Sequence, residues 1–125
     1  MLIDHIGLAI SDYERSKQFY IAVLAPLDIE LMIEIEGWAG FGKKGKGEFW
    51  FGVDDKVQHP MHIAFRADTR EQVDQFYEAA IAAGATDNGR PGLREIYHKD
   101  YYGAFVIDPD GHNIEAVCHG DFAES

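Results

Sequence analysis

Apolar and polar residues alternate over residues 2–10, with Asp4, Ile6, Leu8 and Ile10 on one face and His5, Gly7 and Ala9 on the other. A two-residue period of this kind predicts a strand with one packed face. Residues 61–67 behave likewise, placing Met61, Ile63 and Phe65 opposite His62, Ala64 and Arg66. After each run the period lengthens to three or four. Tyr13, Phe19, Tyr20, Val23 and Leu24 form one apolar stripe, and Val73, Phe76, Tyr77 and Ala80 form another, which predicts helices over 12–24 and 70–83. Ser11 followed by Glu14, and Thr69 followed by Gln72, are capping-box starts; Pro26 and Gly84 are stops. Short glycine-separated runs then predict strands at 30–35, 39–42 and 48–53, and again at 94–97, 102–108 and 113–118. Asp108-Pro109-Asp110-Gly111 is a strong turn that folds the last two strands into an antiparallel hairpin.

The pattern repeats. At an offset of 57 residues, His5-Ile6 falls on His62-Ile63, Gln18-Phe19-Tyr20 on Gln75-Phe76-Tyr77, and Ala22 on Ala79, with no gap. Two such copies are too few for a solenoid, so the expectation is one α+β domain of two βαβββ modules, about 1–57 and 58–120, whose halves pair.

Alternation also picks out candidate chemistry. His5 and His62 point away from the helix-covered side of their strands, beside small residues. On the last strand Ile114, Ala116 and Cys118 form the packed face, so Asn113, Glu115 and Val117 occupy the other. Two imidazoles and a carboxylate on small-residue faces suit a divalent ion of the Fe, Mn, Ni or Zn type with positions left open for substrate. A lone strand histidine is more often structural; its recurrence in both modules favours ligation. Tyr97, His98, Tyr101 and Tyr102 form an aromatic, proton-bearing segment that suits a substrate with a flat or apolar body, or else plain packing. Trp38, Phe41 and Trp50 are candidates for pocket lining or core. His59 and His119 read as surface residues, and His112, beside the turn, admits either reading.

Composition narrows the function classes. The chain has 125 residues, 46% of them hydrophobic, and a formal net charge of −11, so a core is expected and polyanionic partners such as nucleic acid or acidic membrane are disfavoured. Its start shows neither a basic region nor a long apolar run, and Cys118 is the single cysteine. A cytoplasmic protein without disulfides or a cysteine zinc site is expected, with Cys118 buried on its strand.

The signatures Asp4-His5-Ile6-Gly7-Leu8 with Ser16-Lys17-Gln18-Phe19-Tyr20, His62-Ile63-Ala64-Phe65, and Asp108-Pro109-Asp110-Gly111-His112-Asn113-Ile114-Glu115 resemble those of the vicinal oxygen chelate superfamily. Its members include glyoxalase I, extradiol dioxygenases, fosfomycin-resistance transferases and bleomycin-resistance proteins. The resemblance spans nearly the whole chain. It implies paired βαβββ modules curling into a half-open β-barrel around a metal or ligand cavity, with His5, His62 and Glu115 as ligands. It further implies lyase, isomerase or dioxygenase chemistry on a small oxygen-rich substrate chelated to the metal, the nearby Tyr or His moving protons. A homodimer is implied too, in which His5 of one chain joins His62 and Glu115 of the other. Where glyoxalase I has a fourth ligand, the register places Trp50, with Glu48 two residues earlier as a substitute. The Lys and Ser residues with which fosfomycin transferases hold phosphonate and potassium have no counterpart before the turn. The alternative is a metal-free module that sequesters an aromatic compound, as bleomycin-resistance proteins do.

Overall fold

Both helices occupy their predicted places in the computed structural model, which describes residues 4–54, 56 and 61–120. In chain order the elements are β1 (Ile6–Ile10), α1 (Tyr13–Leu24), a 3-10 turn (Ala25–Leu27), β2 (Glu30–Ile35), β3 (Trp38–Lys43), β4 (Lys46–Val53), β5 (His62–Arg66), α2 (Arg70–Ala82), β6 (Thr86–Leu93), β7 (Tyr102–Ile107) and β8 (Asn113–Cys118). Thr69 and Gln72 form the expected capping box on α2, and Gly84 follows it with φ of 98°, the left-handed conformation that closes helices. No helix of the described residues is long and apolar enough to cross a membrane.

The strands form two sheets in the same order, β1-β4-β3-β2 and β5-β8-β7-β6. In each, the first strand runs parallel to the fourth and the rest form an antiparallel meander. The registers also repeat: Ile6 pairs with Phe49 in the first sheet and Ile63 with Ile114 in the second. Trp50 therefore holds, in the first module, the place that Glu115 holds in the second. The sheets stay separate rather than closing on each other, which is the half-open arrangement of two βαβββ modules.

Residues of both modules share one core, in which Leu8, Ile10, Tyr20, Phe41 and Phe51 from the first meet Val73, Phe76, Val106 and Ile114 from the second. Phe49 and Phe65 touch edge to face across the module boundary, with ring centroids 5.1 Å apart. The turn after β7 also fastens the second module to the first. Ser11 donates to Asp110 through its hydroxyl at 2.5 Å and its backbone N–H at 3.2 Å. The buried Tyr20 hydroxyl donates to Asp108 Oδ2 at 2.5 Å. Burial, and then the Asp108 charge, push the Tyr20 pKa well above its usual 10.0. Tyr20→Phe should cost about 1–3 kcal/mol at neutral pH, the scale of a lost hydrogen bond to a buried charged group. The raised pKa adds stability that is present below pH 10 and lost above it, where the unfolded tyrosine ionises first. Denaturant titrations at pH 7 and at alkaline pH check both points, because the Phe variant should lose part of the alkaline decline.

Two local expectations are corrected. The N-cap of α1 is Asp12, which accepts from Arg15 N at 3.1 Å, because Ser11 is already bonded to Asp110. Residues 94–97 are not a strand; 95–97 form a turn, and the strand beside β7 is β6. Its Gly89, Pro91 and Gly92 are unusual within a strand, yet an edge strand tolerates a proline, and β6 accommodates them with register shifts at Asp87/Gly89 and Gly89/Gly92.

Candidate functional site

The outer face of the second sheet carries a buried carboxylate. Glu115 lies on β8 opposite Ala64 of β5 and Phe105 of β7, and is 1% exposed. His62, one alternation step from Ala64, reaches it with Nε2 2.8 Å from Oε1. The Tyr101 hydroxyl donates to Oε2, so both carboxylate oxygens are engaged. Gly103 makes room for this contact, since a Cβ there would stand 3.2 Å from both Glu115 Oε2 and Tyr101 Cε1. Burial and the Glu115 hydrogen bond push the Tyr101 pKa up, so this hydroxyl keeps its proton through the neutral range.

A histidine pair adjoins the carboxylate. His98 Nε2 lies 3.1 Å from His119 Nδ1, and both rings meet Tyr101 at centroid distances of 5.4 Å. Because His98 Nδ1 accepts from Asp100 N at 3.1 Å, a neutral His98 carries its proton on Nε2 and donates it to His119. His119, read from sequence as a surface residue, thus joins the cluster. Its signal was present: it continues the Asn113, Glu115, Val117 alternation one step past the strand.

The other tyrosines of this segment diverge. Tyr97 is exposed and packs on the Tyr101 ring at 4.8 Å. Tyr102 instead turns toward α2, where it donates to Asp74 at 2.6 Å and its ring lies under Arg70. His112 is buried, and its Nδ1 accepts from Met61 N at 3.3 Å, a structural role. Cys118 is buried as expected. His59 lies outside the described residues.

His5 stands on the first module. Its Nδ1 is 2.7 Å from Asp4 Oδ1, and Lys46 Nζ is 3.1 Å from the other Asp4 oxygen; these hydrogen bonds, that from His5 first, hold the Asp4 carboxyl below its usual range. Beside it the outer face of the first sheet is paved with indole. The Trp50 ring lies where a Cβ on Gly40 or Gly47 would stand, 2.8 and 2.9 Å away, and the Trp38 ring does the same over Gly52 at 2.6 Å. Trp50 Nε1 donates to Gly47 O at 3.1 Å. Phe41 belongs to the core. The modules have thus diverged, an acid–base face on one and an aromatic face on the other.

His62 and Glu115 fit two adjacent positions of a metal centre, an imidazole nitrogen beside a carboxylate oxygen. Among the described residues of one chain no group of three or more His, Cys, Asp or Glu is placed to hold an ion. His5 does not join the other two within the chain.

The family model described as "Glyoxalase/Bleomycin resistance protein/Dioxygenase superfamily" matches residues 35–116. The chain belongs to this superfamily. It is 28% identical over 127 residues to the uncharacterized protein YqjT of Bacillus subtilis strain 168, covering 91% of this chain and 96% of that one. A glyoxalase/bleomycin resistance protein from Albidiferax ferrireducens T118 superposes with a TM-score of 0.84 at 29% identity, covering 94% of this chain and 99% of that one. The fosfomycin resistance protein FosX of Listeria monocytogenes, solved with Mn(II) and a dihydroxypropylphosphonic acid, superposes with a TM-score of 0.70 at 21% identity, covering 96% and 90%. At that identity the likeness to FosX is one of fold.

Proposed function

We propose that the protein is a metal-dependent enzyme acting on a small oxygen-rich substrate, one with a flat or apolar body, chelated through two neighbouring oxygens. The supporting observation is the His62–Glu115 pair, 2.8 Å apart, on a face shared with Ala64, Tyr101 and Phe105. The third ligand is His5 of a second copy, which gives a homodimer with shared sites. A divalent ion of the Fe, Mn, Ni or Zn type would supply Lewis-acid polarisation of the substrate oxygens. This chain's own residues do the rest. Tyr101 holds a proton at its hydroxyl against Glu115 Oε2, and the His98–His119 pair packed on its ring adds further proton-bearing groups beside the site. The two indoles of the first module would form the wall against which a flat substrate lies.

Those indoles equally favour a second reading, a metal-free module that sequesters an aromatic compound. Elemental analysis of protein purified without added metal separates the two. About one equivalent of metal per chain, lost in Glu115→Gln with the fold retained by circular dichroism, is expected for the enzyme. Metal-free protein that still binds a flat aromatic ligand would put the sequestering module in its place.

A further inference from the structure

A cavity of about 400 Å³ lies between the modules, within the size range that buries small ligands. It adjoins the face that carries Glu115, because His62, Ala64 and Arg66, which share that face of β5, also line it. Phe41 and Phe49 of the first module and Ile63 and Phe65 of the second form its apolar walls. The charged lining is Lys43, at the end of β3, Arg66, at the end of β5, and one carboxylate, Glu48.

The two cations give the lining a net positive charge in a chain that has 22 acidic and 11 basic side chains. Lys43 and Arg66 make no ion pair among the described residues, and nor does Glu48. Net positive charge at an apolar cavity of a strongly acidic protein favours a ligand with an apolar body and one anionic group.

We propose that this cavity binds an aliphatic monocarboxylate of medium chain length. Its chain packs among the phenylalanines, and its head lies against the positive charge of Lys43 and Arg66. The cavity shares His62 with the proposed metal centre, but the head group's contacts are with Lys43 and Arg66, so titration in EDTA separates failure of this site from failure of the enzyme proposal.

Calorimetric titration of the full chain in EDTA tests the proposal, with hexanoate, octanoate and octan-1-ol as probes. Affinity should rise about tenfold from hexanoate to octanoate, the gain expected from burying two more methylenes. Octanoate should bind about fivefold more tightly than octan-1-ol, the scale of one solvent-accessible charge pair. Lys43→Gln and Arg66→Gln, both at positions outside the packed core, should each reduce that preference. Ile29→Trp, which fills the cavity from the loop after the 3-10 turn, should weaken both eight-carbon probes, with thermal unfolding confirming that the variant folds. Equal binding of octanoate and octan-1-ol, no dependence on chain length, or no response to either charge substitution overturns the proposal. Binding that appears only without EDTA also overturns it, because the carboxylate would then sit on a metal rather than on these side chains.

Discussion

Phe76→Ala should destabilise the protein by about 3–5 kcal/mol, lowering Tm by roughly 10–20 °C. The ring is fully buried in the core shared by α1, α2 and both sheets, so its removal leaves a cavity where the two modules meet. His62→Ala should cost less, about 1–3 kcal/mol, because the imidazole is half exposed and its loss leaves Glu115 with Tyr101 as a partner. His5→Ala, on an exposed side chain, should stay within about 0.5 kcal/mol of the parent. Denaturant unfolding of the three variants gives the order directly. A His62 variant as unstable as the Phe76 variant would place His62 in the packed core instead of the site.

The second large effect is complementation between two inactive chains. Mixing His5→Ala with Glu115→Gln and allowing subunits to exchange should restore metal binding in up to half of the heterodimer sites. When each site takes His5 from one copy and His62 with Glu115 from the other, one heterodimer site collects both lesions and its twin has none. Each homodimer alone should stay empty. If every site were assembled within one chain, every site in the mixture would keep one lesion and nothing would be recovered. Metal should also oppose subunit dissociation in the parent protein, since ligation and pairing are then thermodynamically linked.

Alternation alone was enough to put His62 and Glu115 on one face, because β5 and β8 are adjacent and their register keeps the pattern in phase. The repeat at 57 residues likewise made the duplicated topology legible. What could not be read is what depends on neighbours distant in the chain. Ser11 has the makings of an N-cap, but Asp110, 99 residues away, takes it. Pro91 and its flanking glycines argue against a strand until β7 supplies an edge for them. Tyr97, Tyr101 and Tyr102 are indistinguishable by type and spacing. In the fold Tyr101 reaches Glu115, Tyr102 turns to Asp74, and Tyr97 remains at the surface. His5 has the same local signature as His62, but its sheet offers Trp50 where the other offers Glu115, and no local pattern says which copy's carboxylate it would meet.

The indoles lying over Gly40, Gly47 and Gly52 constrain how this surface can change over evolutionary time. A methyl group at any of the three would occupy space the ring now fills, at 2.8, 2.9 and 2.6 Å, so a glycine there can gain a side chain only with its tryptophan displaced. The reverse order is open: a tryptophan can be lost first, leaving a bare backbone on which alanine or serine is then accepted. Once the glycines have been replaced, regaining the tryptophan requires undoing each of them. The aromatic face is therefore easier to lose by single substitutions than to rebuild.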